Sequence, residues 1–233
     1  MARDLFVLSA GAAKAVVLSL KATFEAATQA EIHATFGAVG AMRERFSAGA
    51  PCDVLILSAK LLDELARDGA IDDATRTSFG RVGTGVAVCA GAPLPVIGNA
   101  DELRASFSAA SALFLPDPER ATAGIHCLDV LRRLGILDPM RSRLRPFANG
   151  AAAMAELARS ADPQALGCTQ VTEILYTDGV ALVGALPAGF DLNTPYAGAV
   201  TMRAREPALA RRLLAQLGGS ATLATRRAGG FEA

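Results

Sequence analysis

Short runs of β-branched and aliphatic residues alternate along the chain with longer stretches in which apolar positions recur every three or four residues. That alternation is the pattern of parallel strands joined by crossover helices, and it predicts an α/β fold. The first repeat of the pattern places a strand over residues 5–9 and a helix over 12–27, with Ala13, Val17, Leu20 and Phe24 on one face. A second strand is expected over 31–36, a short helix over 39–47 and a third strand over 53–57. Ser58 then stands at the N-cap position of a helix that stops at Gly69.

The rhythm changes over residues 81–90, where Val82, Thr84, Val86 and Val88 alternate with small residues before a stretch rich in Gly and Pro. This reads as a strand that leaves one lobe for another. The alternation then restarts: helix 101–109, strand 112–115, helix 122–134, strand 144–147, helix 149–159 and strand 166–168. Two more strands, 180–185 and 197–202, carry the chain back. A helix over 207–217 closes it, with Pro207 in its first turn, where a missing N–H costs least. The expected division is residues 1–83 plus 192–233 in one lobe and 84–191 in the other, each a mainly parallel sheet flanked by helices, with a ligand cleft between them.

Composition narrows the function classes. Lys plus Arg and Asp plus Glu each number 23, so no net field favours nucleic acid or an anionic membrane surface, and a charged ligand has to be met locally. No apolar run approaches the roughly 20 residues of a spanning helix. The N-terminus enters a strand at once, as expected of a cytoplasmic chain as the sequence stands, or of a periplasmic one whose signal peptide has been removed. The four cysteines are widely spaced, and neither His33 nor His126 has a partner at ligand spacing along the chain, so no metal is expected. The GxSxG, Walker and GxGxxG motifs are absent, and no cofactor is implied.

Candidate chemistry lies just after the strands, because open parallel sheets bind ligands beyond the strands' carboxyl ends. Residues there are small: Gly11, Ala12 and Ala13 after the first strand, Val39 and Gly40 after the second. Helices entered without a bulky residue expose unpaired N–H donors and a partial positive charge, which suit oxyanions and carboxylates. The second lobe offers Thr122 with Ala123, Asn149 with Gly150, and Thr169 with Gln170. Thr122, Asn149 and Thr169 are equally suited to plain N-capping. Asp117, Glu119 and Arg120 read as an ion-pair loop.

Three segments in order, AGAPCDVLILSA at 48–59, LARDGAI at 65–71 and DPERATAGI at 117–125, with Leu134 and Gly135 following, resemble the molybdate-binding branch of the periplasmic solute-binding proteins. The similarity runs from Leu5 to Phe231. It implies two lobes that close by a hinge on a small anion, with an ABC permease as partner. Members of that branch hold molybdate with serine hydroxyls at the first two turns, backbone amides and a tyrosine hydroxyl. The first serine position falls on Ala12, the second within Ala38, Val39 and Gly40, and the tyrosine on Gln170. Ala123, Asn149 and Gly150 match backbone contacts.

The loss of hydroxyls and the gain of an amide predict an organic carboxylate in place of a compact oxyanion, since each buried oxygen left unpaired costs about 1–3 kcal/mol. Some relatives in the branch are isomerases of small unsaturated tricarboxylates such as aconitate. On that alternative the base is Lys14, Glu119, Glu173 or Tyr196, in that order, and no metal is needed. A ligand sensor with a protein partner is a third reading; without a helix-turn-helix or basic stripe it would not read DNA directly.

Overall fold

In the computed structural model, which describes residues 3–232, strand and helix alternate for most of the chain. The order is β1 (Arg3–Ala10), a 3-10 turn (Gly11–Ala13), α1 (Lys14–Thr28), β2 (Ala30–Gly37), α2 (Val39–Ser47), β3 (Val54–Ser58), α3 (Ala59–Arg67), β4 (Ile71–Cys89), α4 (Ala100–Ala109) and β5 (Leu113–Pro116). It continues with α5 (Thr122–Arg133), α6 (Leu137–Met140), β6 (Leu144–Phe147), α7 (Gly150–Ser160), β7 (Leu166–Gln170), α8 (Val171–Tyr176), β8 (Val180–Ala185), β9 (Asn193–Thr201), α9 (Pro207–Gly218) and α10 (Leu223–Ala228). The fold is mixed α/β, with sheets flanked by helices. Two compact units are present: the described residues up to Arg81 with those from Thr194 onward, and Val82–Asn193. Residues 1, 2 and 233, expected in the first lobe, lie outside the described residues.

In the first unit the strands run in the order β2, β1, β3, β9, β4. β1 pairs in parallel with β2, from Arg3 opposite Ala30 to Ala10 opposite Gly37, and in parallel with β3; β9 runs antiparallel to β3, with Tyr196 opposite Ser58. All five residues of β3 are buried, as a strand covered on both faces requires. On the helix side, Val16, Val17 and Phe24 of α1 are buried, as are Leu209, Leu213, Leu214 and Leu217 of α9. Each such side chain contributes about 1.5–3 kcal/mol on removal from water.

In the second unit β4 is flanked by β8 on one side and by β7, β5 and β6 on the other. β5, β6 and β7 are mutually parallel, and β4 runs antiparallel to β7 with Thr84 opposite Gln170. One face of this sheet packs Val86 and Cys168 against Leu103, Phe107, Val130 and Leu131; the other packs Ala87 and Phe114 against Met154, Leu157 and Ile174.

Three features depart from the sequence reading. The first helix opens as a 3-10 turn, so α1 proper starts at Lys14 and not at Ala12. β4 begins at Ile71, well before Arg81, because its first half is a polar strand: Thr75 Oγ1 accepts from the Val200 amide at 2.9 Å, and Arg76 pairs with Asp63 and Asp73. The short helices α6, α8 and α10 are too brief to show a period.

Parallel pairing has one consequence for chemistry. In each unit the carboxyl ends of the parallel strands finish at one edge of the sheet, so the turns into α1, α2 and α3 share an edge, and those into α5, α7 and α8 share another.

Candidate functional site

At the edge of the first unit three helix entrances stand without side-chain caps. The N-cap residues are Ala10 for the 3-10 turn, Ala38 for α2 and Ser58 for α3, and none accepts a hydrogen bond from the first turn through its side chain. The first-turn amides of a helix have no intrahelical acceptor, and here the N-cap side chains offer them no oxygen in compensation. Ala12, Ala13 and Val39 are buried while Gly11 and Gly40 are half-buried, so main chain is what this edge presents. Ser58 holds the expected N-cap position without the expected bond, because its hydroxyl does not turn back onto α3. Opposite it in the ladder lies Tyr196, buried and edge-on to the Phe231 ring at 6.3 Å. Lys14 is the first residue of α1 and half-buried.

The second unit is built differently. Thr122 does not cap α5: it is already the first helical residue, and the N-cap is Ala121, in extended conformation and without a side-chain bond. The preceding loop does its own turning, since Asp117 Oδ1 accepts from the amides of Glu119 at 2.8 Å and Arg120 at 3.1 Å. A side chain on Gly124 would collide with the carbonyls of Pro116 and Asp117, so only glycine lets α5 start hard against the end of β5. That close approach brings the amides of Thr122 and buried Ala123 to the sheet edge. Glu119 is exposed.

Asn149 is an N-cap in fact, with its side-chain oxygen accepting from the Ala152 amide at 2.9 Å. The rest of the α7 entrance is occupied from within the chain. Glu173, only 7% exposed, contacts the Thr169 hydroxyl at 2.6 Å through Oε2, and that oxygen lies against Gly150 at the first turn of α7. Burial pushes this carboxyl above the usual glutamate range, while hydrogen bonding, from Thr169 first, pulls it back. A Gly150 side chain would overlap Glu173 Oε2 and Thr169 Oγ1. Thr169 therefore serves Glu173 and does not cap α8, whose N-cap is Gln170.

Gln170 is buried at the end of β7, and its amide nitrogen donates to the carbonyls of Val82 at 3.1 Å and Gly83 at 3.2 Å. Across the ladder the Thr84 hydroxyl is buried and has no hydrogen-bond partner among the described residues, and the same holds for Thr172 beside Glu173. Neither threonine stood out in the sequence. The signal for Thr84 is a hydroxyl in an alternating apolar strand, and it becomes informative only once register places it opposite Gln170.

The histidines lie elsewhere. His126 Nε2 contacts the Phe190 carbonyl at 2.7 Å. His33 is exposed, and the fold brings it carboxylates that spacing along the chain did not indicate: Nε2 lies 2.9 Å from Asp4 Oδ1 and 4.0 Å from Glu31 Oε1. Parallel register sets Asp4 opposite Glu31 and Phe6 opposite His33, with the two rings stacked at 5.1 Å, so one face of β1 and β2 collects groups far apart in sequence. Among the described residues these three side chains are the group close enough to share a cation, their ligand atoms lying within 4.8 Å of one another. All three are exposed, and the His33 ring already contacts Asp4. The four cysteines are buried free thiols. No helix among the described residues is long and apolar enough to cross a membrane.

Set beside known proteins, the chain is 26% identical over 221 residues to an aconitate isomerase from Pseudomonas sp, covering 91% of this chain and 81% of that protein. It is 27% identical over 172 residues to the molybdate-binding protein ModA of Escherichia coli (strain K12), covering 73% of this chain and 66% of that one. In structure it matches the periplasmic molybdate-binding protein of Azotobacter vinelandii with a TM-score of 0.81 at 21% identity, over 98% of this chain and 99% of that chain. With a family model matching residues 5–232, the chain belongs to the bacterial extracellular solute-binding protein family.

Proposed function

We propose that this chain is a binding protein for a small anion, that its ligand is an organic carboxylate, and that it delivers the ligand to an ABC-type permease from the periplasm. The observation that carries this reading is the set of uncapped helix entrances, at Ala10, Ala38 and Ser58 in the first unit and at Ala121 in the second, where first-turn amides meet small residues at the sheet edge of their own unit. Such amides stabilise negative charge without a basic side chain. Gly11, Ala12, Ala13, Val39, Gly40, Thr122, Ala123 and Gln170 are the proposed contacts. Relatives named for molybdate set the anionic class, and the absence of a hydroxyl at Ala12 and Val39 argues against a compact tetrahedral oxyanion.

Titration calorimetry with molybdate, sulfate, and di- and tricarboxylates tests the reading. A carboxylate is expected to bind more tightly than molybdate, and the reverse order would sink the ligand class. Silence from every anion would sink the function.

A second reading has its own support in the relative named as an aconitate isomerase, which matches most of the chain. Of the four candidate bases, Glu119 is exposed in its turn, and Glu173 is buried with Oε2 against the Thr169 hydroxyl and Gly150. Lys14 and Tyr196, at the edge of the first unit, are the better placed pair. Proton NMR of aconitate isomers in deuterated buffer decides the matter: interconversion or deuterium uptake supports catalysis, and unchanged spectra after long incubation exclude it.

A further inference from the structure

The N-terminal ends of β1 and β2 gather three side chains that the helix entrances do not use. Parallel register sets Asp4 directly opposite Glu31 and Phe6 opposite His33. Residues two apart on a strand share a face, so Asp4, Glu31 and His33 lie on the same side of the sheet. The His33 ring stacks on Phe6 at 5.1 Å, which orients Nε2 toward the carboxylates, 2.9 Å from Asp4 Oδ1 and 4.0 Å from Glu31 Oε1. All three ligand atoms fall within 4.8 Å of one another. Paired main chain fixes the spacing of the three, and β2 is the edge strand of its sheet, so an ion can reach them from solvent.

The local charge favours a cation. Two carboxylates directly opposite in a ladder repel each other, and a neutral imidazole beside them offsets none of that repulsion. Neighbouring basic side chains are engaged elsewhere: Arg3 with Glu206 and the Thr28 carbonyl, Lys21 with Glu25 and the Ile32 carbonyl. An imidazole nitrogen with two carboxylate oxygens is a donor set for a borderline transition metal such as Zn²⁺, and a poor one for Mg²⁺ or Ca²⁺, which take oxygen ligands. Ligand atoms about 2.1 Å from such an ion stand about 3.0–3.4 Å apart in octahedral or tetrahedral geometry. The His33–Asp4 separation of 2.9 Å is already close to that range, and exposed Glu31 closes its longer gap by side-chain rotation.

We infer that Asp4, Glu31 and His33 form a divalent transition-metal site that staples the edge strand β2 to β1. The ion takes Nε2 of His33 and one oxygen from each carboxylate, and water completes its coordination. Asp4 stands near the start of β1 and the first helix entrance follows Ala10 at its end, about 20 Å away along the strand. The site is therefore separate from the proposed anion contacts, and its assignment does not depend on them.

Titration calorimetry of the full chain with zinc chloride, in a buffer free of phosphate and carboxylates, tests the assignment. Saturable binding of a single ion per chain is expected. His33→Ala should weaken it by more than about tenfold, since even residues that only orient a metal ligand are worth that much. Asp4→Asn and Glu31→Gln should each weaken it as well, whereas His126→Ala, which removes the other histidine of the chain, should leave it unchanged. Mg²⁺ in large excess is expected not to displace zinc. Zinc is also expected to raise the unfolding temperature of wild type and not of His33→Ala, as a ligand held only by the folded chain must. Wild type that binds no zinc, or zinc binding that survives His33→Ala or both carboxylate variants, overturns the site. Displacement by Mg²⁺ overturns the transition-metal assignment.

Discussion

The Glu173 carboxylate occupies the space that a side chain on Gly150 would need, so the two residues fit only as a pair. Gly150→Ala is expected to expel the carboxylate from the Thr169 hydroxyl and lower stability by about 3 kcal/mol, through overpacking and loss of a buried hydrogen bond. In Gly150→Ala with Glu173→Ala the penalties should fall short of their sum, since the second change removes what the first collides with. Chemical denaturation of the two single variants and the double one gives the coupling, and strict additivity would contradict the geometry.

Asp53 plays a comparable part in the first unit. Buried at 1% exposure, it takes the Phe6 amide on one oxygen at 2.7 Å and the amides of Arg205 and Glu206, at 2.6 and 3.1 Å, on the other. It ties β1 to the start of α9 through three main-chain donors. Asp53→Ala is expected to lose about 2–4 kcal/mol. Asp53→Asn keeps one acceptor oxygen and should lose clearly less. Equal losses in urea unfolding would show that the amides find other partners.

Periodicity located most of the fold because most elements bury one face or both. The helix Val39–Ser47 and the strands Leu144–Phe147 and Val180–Ala185 have the bounds that their apolar spacing indicates. The first half of β4 escaped because Asp72, Asp73, Thr75 and Arg76 satisfy themselves with hydrogen bonds and ion pairs, and burial leaves little mark there. At Gly11, Ala12, Val39 and Gly40 the helix entrances themselves were legible, because small residues follow a strand and precede a helix. Self-occupation of the α7 entrance was not. That Glu173 reaches Gly150 follows from the pairing of β7 beside β5 and from the turn into α8, which are properties of register and not of local sequence. The closeness of His33 to Asp4 was hidden for the same reason.

Cys52 is buried and its Sγ–H donates to the Val54 carbonyl at 3.2 Å; burial pushes the thiol up to about 12. The thiolate is the reactive form, so this cysteine should be inert near pH 8. Cys89, Cys127 and Cys168 are buried too. Ellman's reagent is expected to find no rapidly reacting thiol in the native protein and four after unfolding in guanidinium. A fast thiol in the native state would contradict the packing around β3 or β7.

Burial holds the Glu173 proton more tightly in the folded state than in the unfolded chain. Its contribution to stability is therefore fully present below the ordinary glutamate value of 4.5 and is lost as pH rises through the higher folded-state pKa. Glu173→Gln does not titrate, so the stability of wild type minus that of the variant should fall with rising pH across that window. Denaturation of both proteins from about pH 4 to 8 measures the difference and cancels the other carboxyls. A difference that rises with pH would mean that hydrogen bonding to the charged form outweighs desolvation.

Ala12 offers the sharpest functional test, because it is buried in the 3-10 turn where N–H donors are present and a hydroxyl is not. If the bound anion contacts that turn, Ala12→Ser adds one donor beside the amides of Gly11 and Ala13 and should tighten a tetrahedral oxyanion by about 1 kcal/mol, roughly fivefold. A flat carboxylate uses fewer directions than a tetrahedral ion, so its affinity should change less. Calorimetry with molybdate and a tricarboxylate on both proteins gives the two ratios. Equal shifts would show that the turn does not discriminate shape, and no shift in either would place the anion away from the first helix entrance.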